Sequence, residues 1–351
     1  MEQHEREYFI ARLRTGIINI KLDGLTLKIK PITLEQELEI QERYVEAYRE
    51  AQEEGFLTKK ELLDSLKERD LWTEEDEKKE EGLEKDIDRL KVELFQNKNK
   101  SDMVAQIRKY LKAGKEQLNK VLEKKFQHYE ISCEGMASIE KVKKLVSISC
   151  FKQKDNGELE LYDFEEISID IVIKLLGLQM LTETSLRELA RSEPWRSTWL
   201  LRDSNAYNLF DNKDKQLTPD QRGLLTFSRM YDNVQESMDC PSDDVIEDDD
   251  MLDGWFILQK RQRDNDRAKS EIEQQTGNSK ISNSDEIFVM AHSKQDASKI
   301  NSSNSFHAQK VKEQRMRTIQ QQGQAVDLDF QDQKMKYAQM SNEKFKGKFR
   351  R

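Results

Sequence analysis

Proline and glycine are scarce, at four and thirteen in 351 residues. Tight turns draw on both, so this poverty excludes a sandwich of many short strands; long helices tolerate it. No run of eighteen apolar residues occurs, which removes any candidate transmembrane helix. The first fourteen residues mix charges of both signs and lack the apolar core of a signal peptide. Cys133, Cys150 and Cys240 are odd in number and widely spaced. They form no CxxC pair and no disulfide framework, so three structural thiols in a reducing compartment are expected. His4, His128, His292 and His307 are scattered, without a metal-ligand partner four residues on. The phosphate-cradling glycine loops, the GxSxG elbow and HExxH are missing too. These absences point to a soluble intracellular protein that is not an enzyme and uses no cofactor or metal. Its expected work is the binding of other macromolecules.

Charge is what the chain has in excess. Charged residues make up 36%, equal to the hydrophobic share, against about 25% and 45–50% in an average domain. The apolar content supports a core, but not one spanning the whole chain. The net charge is −9, which argues against a general nucleic-acid coat. Yet from Phe306 onward eleven Lys and Arg face five Asp and Glu, giving an acidic body with a basic C-terminal arm.

The only clear β signal lies near the start. Ile17 to Leu22 and Leu25 to Lys30 flank Asp23-Gly24, the signature of a two-residue hairpin whose central positions need φ > 0. Leu25, Leu27 and Ile29 share one face. A lone hairpin is marginal in water, so it must pack on helices or join other strands. Pro31 ends the second strand. Thr33 to Gln36 then reads as a capping box opening a helix to Gly55, with Leu34, Leu38 and Val45 in its apolar stripe. Thr58 to Glu61 is a second box. Thr73 opens a third helix, with Leu83, Ile87, Leu90 and Leu94 stepping as a coiled-coil seam. After a turn at Asn97 to Lys100, with Ser101 as cap, Ile107, Leu111, Leu118, Leu122 and Phe126 repeat on one face around a gap at Gly114-Lys115. The two helices form an antiparallel hairpin that protrudes, because their outer faces are almost wholly Lys and Glu.

A helix over residues 138–151 and a turn at Lys154 to Gly157, flanked by short strands, come next. Asp163 caps an apolar helix from Ile167 through Leu181, read as the buried centre of a second domain. Trp195 and Trp199 sit four apart. Thr218-Pro219 starts another helix, and one helix is expected from Asp243 to about Gln275. The fold class is therefore mainly α. Its parts are a β-hairpin plus helix (1–57), a helical hairpin (58–130), a helical domain (131–275) and a flexible C-terminal arm with short helices (276–351).

Three stretches invite a functional reading. The acids Asp243, Asp244, Glu247, Asp248, Asp249, Asp250 and Asp253 offer hard oxygen ligands, but without the alternation and central Gly of an EF-hand loop. They suit a helix start or a partner-binding acidic patch. Trp255 and Phe256, followed by Arg261 and Arg263, read as an interface anchor or as core aromatics with solvated bases. Ile287, Phe288, Phe345 and Phe349 are apolar islands in the polar arm, suited to contact with a partner. The last two alternate with Lys and Arg, a pattern that docks on acidic protein or stacks on unpaired bases.

The block Leu25-Thr26-Leu27-Lys28-Ile29-Lys30-Pro31-Ile32-Thr33-Leu34-Glu35 resembles the start of tail assembly chaperones of tailed bacteriophages. Residues 241–263 and 284–300 also resemble proteins of phage structural gene clusters. The resemblance implies a non-enzymatic morphogenesis protein that binds the tape-measure protein or tail components in the host cytoplasm. A permanent virion protein of neck or baseplate is the first alternative, and a nucleic-acid factor using the basic tail is the second. The partners implied are other phage structural or assembly proteins, with self-association and nucleic acid as further options and no membrane. The acid cluster generates a first prediction: calorimetric titration with calcium, magnesium or manganese stays silent at micromolar protein. A stoichiometric transition removed by Asp249→Asn with Asp253→Asn would contradict it.

Overall fold

Leu22 pairs with Leu25, and the register runs on to Ile18 opposite Ile29, in the computed structural model of the chain. This is the two-residue hairpin expected from the Asp-Gly pair, and Gly24 takes the positive φ of +82° that such a turn requires. The structure describes residues 1–276 except 23, 155–156, 165–167, 202–205 and 212–213. It divides into two units, Met1–Ile257 and one beginning at Leu258.

The hairpin does not stand alone. Its strands β1 (Ile18–Leu22) and β2 (Leu25–Ile29) are joined by β3 (Cys150–Gln153) and β4 (Leu159–Leu161). All pairings in this β1-β2-β3-β4 sheet are antiparallel. Leu27 lies opposite Lys152 and Ile29 opposite Cys150. Residues 1–57 therefore share one sheet with residues 150–161. The strands beside the turn at Gly157, expected only as a local pair, complete the N-terminal sheet.

The chain is mainly helical. Its first helix, α1 (Gln3–Thr15), carries only Ile10 and Leu13 as fully buried apolar residues. That pair is too sparse to show a stripe in the sequence. Helices α2 (Leu34–Glu53), α3 (Lys59–Glu68) and α4 (Glu74–Gln96) each begin at a threonine whose hydroxyl accepts from the N3 amide while the N3 side chain reaches back. Helix α5 (Ser101–Phe126) starts one residue earlier than a Ser101 cap would have it, and Lys100 in the cap position makes no side-chain capping bond.

Helices α4 and α5 form the expected antiparallel hairpin. The apparent gap at Gly114 is part of the seam, because a Cβ there would stand 3.4 Å from Ile87. Lys124 to Asp76 at 2.6 Å and Lys125 to Glu80 at 2.7 Å continue the register outward. The hairpin does not protrude. Leu94 and Ile107 near its turn are buried with Val245 and Met251. At the other end Val121 is buried with Leu66 and Trp72.

Helix α6 (Cys133–Ser149) packs along α2 and runs straight into β3. Helix α7 (Ile169–Gln179) is capped by Ser168 rather than Asp163. It is not a buried centre. Val172 alone in it is fully buried, within the core that it shares with Ile20, Leu27, Val146 and Cys150. The largest core lies elsewhere, among α1, α8 (Glu183–Arg191), α9 (Trp195–Leu200), α10 (Pro219–Gln235), α11 (Asp243–Glu247) and α12 (Asp249–Thr276). Trp195 stacks on Trp199 and on Phe210 at 6.3 and 5.8 Å. The Trp195 indole donates to Ser228 and the Trp199 indole to Asp232, so neither polar handle is stranded.

Across this core Arg12 donates to Asp220 at 3.4 Å, both buried. Burial lowers the Arg12 pKa and raises that of Asp220, outweighing their attraction in each case. Such a pair adds little net stability but is costly to break on one side. Arg12→Met alone is expected to cost about 3–5 kcal/mol. Arg12→Met with Asp220→Leu should recover most of that loss in urea unfolding. A double variant as unstable as the single would contradict this account.

Candidate partner-binding surface

The acid cluster of residues 243–253 is the site the sequence advertises most strongly. It falls on two helices, because the helix expected from Asp243 onward breaks at Asp248 (φ −101°, ψ 110°). The Asp248 carboxylate then accepts from the Met251 amide at 2.9 Å and so caps α12. The acids meet bases from three other helices. Asp248 pairs with Arg108 of α5 at 2.6 Å and Asp250 with Lys115 of α5 at 2.7 Å. Asp249 pairs with Arg191 of α8, which also donates to the Tyr231 hydroxyl. Asp253 lies between Lys91 of α4 and Arg187 of α8, each at 2.7 Å.

Backbone geometry fixes this arrangement. A Cβ on Gly254 would overlap the carbonyl of Lys91, so only glycine lets α12 approach α4 this closely. Burial disfavours charge on Asp253, but hydrogen bonds from Lys91 and Arg187 outweigh it and hold its pKa below the usual carboxylate value. Four of the seven acids are thus neutralised inside the molecule. Among the described residues no group of His, Cys, Asp and Glu has the arrangement to hold a metal ion.

The aromatics that follow split between core and surface. Trp255 is buried in the largest core, and Phe256 packs against its edge. Phe256 also lines a shallow hollow of about 320 Å³ with Arg229, Met230 and Asn233. Arg261 and Arg263 are exposed, and Arg263 donates to the Gln259 carbonyl at 3.3 Å. Ile287, Phe288, Phe345 and Phe349 lie outside the described residues. Nucleophile chemistry finds no support at the buried thiols. Desolvation pushes Cys150 up to about 11, and burial raises Cys133 as well.

What stands unsatisfied is apolar. The apolar stripe of α2 points outward: Leu34, Leu38 and Val45 are 58, 57 and 45% exposed. The inward face is instead Ile40, Ala47 and Ala51, whose small alanines suit the close packing against α6. On α7, Ile171 and Leu178 are 47 and 74% exposed. They stand seven residues apart, two turns along one face. The sequence marked both as apolar but not as exposed, since a stripe does not say which side of a helix will be covered. The chain matches no protein-family model, no curated protein and no solved structure. No helix among the described residues is long and apolar enough to cross a membrane.

Asp253→Asn is expected to leave Lys91 and Arg187 without their shared counter-charge and to cost about 2–3 kcal/mol. The folded pKa of Asp253 is depressed, so its stabilisation is complete above the ordinary value of 3.8 and is lost as pH falls through the folded pKa. The gap between wild type and Asp253→Asn in urea unfolding should therefore narrow below pH 4. A gap that is constant with pH would rule out the paired carboxylate as its source.

Proposed function

We propose that this chain is a non-enzymatic morphogenesis protein of a tailed bacteriophage, acting as a tail assembly chaperone in the host cytoplasm. One observation carries the binding role. Large aliphatic side chains stand in helical rows on the surfaces of α2 and α7, in a molecule whose acidic cluster is internally neutralised. Isolated exposed leucines need no explanation, but rows of them mark interaction surfaces. The phage assignment draws on the resemblance of residues 25–35, which are β2 and the entry to α2. In this reading, apolar helical segments of the tape-measure protein or another tail component lie against these faces, the mode in which an amphipathic helix seats on a complementary surface. The excess of acids keeps the loaded complexes apart.

Co-expression with the tape-measure protein of the same gene cluster tests the reading. The expected result is a soluble complex that co-purifies. Ile171→Asp with Leu178→Asp should preserve the helical circular-dichroism signal yet reduce recovered complex by about tenfold or more. A tape-measure protein that stays insoluble in the presence of the chain, or is recovered equally with the variant, would overturn this assignment.

A further inference from the structure

The outward face of α2 carries more than an apolar row. At 100° per residue, Leu34, Leu38 and Val45 fall within about 40° of one another. Glu35, Glu42, Glu46 and Glu53 form a second exposed row beside it, offset by about 80° on the same wheel. The opposite side of the helix is occupied, since Ile40, Ala47 and Ala51 are buried where α2 packs along α6. The neighbouring bases do not neutralise the outer row. Arg43 is held by Glu50 and Glu140, at 3.1 and 3.2 Å, with Glu46 more distant at 3.8 Å. Lys144 goes to Glu39. Among the described residues Glu35, Glu42 and Glu53 have no ion partner. On α2 itself Arg49 is the one exposed base, midway between the two rows.

We propose that this face is a docking surface for an amphipathic helix of a partner protein that carries Lys or Arg along one flank of its own apolar stripe. The apolar row supplies burial, and the glutamate row selects charge and orientation. The row from residue 34 to 45 extends about 16 Å, so a partner helix of roughly twelve residues covers it. A second copy presenting the same face is a poor occupant. Antiparallel two-fold pairing would bring two glutamate rows together around a narrow apolar seam, and parallel pairing would set each row against the flank of Glu37, Tyr44 and Tyr48, which carries no base. This inference rests on the chain being a protein-binding assembly factor, and it adds the chemistry of one partner segment.

The test uses the full chain and two fluorescent twenty-residue helical peptides. Both carry leucines at three- and four-residue spacing. One has lysines along a single flank, and its twin has glutamates there. The lysine peptide should bind at least about tenfold more tightly than its twin at low salt. Leu38→Gln with Val45→Gln should weaken it by about tenfold or more. Glu35→Gln with Glu42→Gln should reduce both the preference and the salt dependence. Met238→Gln, at an exposed side chain outside α2 and α7, should leave binding unchanged. Circular dichroism shows whether each variant stays folded, which is expected because every substituted side chain is exposed. Equal binding of the twins, or binding indifferent to Leu38→Gln with Val45→Gln, would overturn the proposal. So would self-association of the chain, seen by sedimentation, that the same double variant abolishes. Peptide binding without capture of a tail protein would sustain this inference and remove the assembly reading; capture without peptide binding would do the reverse.

Discussion

The contact between the backbones of α12 and α4 at Gly254 constrains most of what surrounds it. Helices whose axes approach this closely leave no room for a side chain at the crossing. Charges on either side must then be matched at short range. Asp253 lies beside the contact with two cations, and Asp248, Asp249 and Asp250 reach bases on α5 and α8. The break at Asp248 follows from the same demand. A straight helix from residue 243 would not bring Val245 and Met251 together over Leu94 and Ile107. The acid-rich stretch thus acts as a clasp that holds the helical hairpin to the layer containing α8.

This clasp changes the meaning of the composition. A charge content of 36% suggests solvated arms, yet part of it is spent on joining helices. Attraction among partly buried groups is stronger than on an open surface, but each ion must first be stripped of water. The gain is therefore geometric more than energetic, because paired charges specify which helix faces which. Apolar surface shows the opposite pattern. Some of the largest aliphatic residues of α2 and α7 stay outside, while alanine, glycine and valine sit at the close helix contacts.

Features set by neighbours in sequence were legible before the structure. The caps at Thr33, Thr58, Thr73 and Thr218 depend on four consecutive residues each, and all four form. The hairpin turn and the seam from Leu83 to Leu94 are equally local. Features set by distant partners were not legible. Pairing of Leu27 with Lys152 requires knowledge of both strands. The inward face of α2 is decided by α6, and Ala47 with Ala51 gives a weaker sequence signal than Leu34 with Leu38. Trp72, buried beneath Lys125 with its ammonium 5.4 Å from the ring centroid, had no periodic neighbours to announce it. The acid cluster was conspicuous, but its partners at Lys91, Arg108, Lys115, Arg187 and Arg191 are single bases in unremarkable helices.

The order of the strands has a consequence for biosynthesis. Strand β2 leaves the ribosome more than a hundred residues before β3, its sheet partner. At about 5–20 residues per second, the hairpin waits for several seconds or more with the ladder edge of β2 open. A two-stranded ribbon is barely stable by itself, and an open edge templates pairing with other chains. Between these strands the chain emits α2 to α6, all helical, of which α4 and α5 pair as sequence neighbours and form fast. Those helices shorten the distance that β3 must search, since α6 packs on α2 and delivers Cys150 directly opposite Ile29. Release of the polypeptide before residue 150 would leave a product with a helical middle and an unprotected sheet edge, a natural substrate for holdase chaperones and proteases.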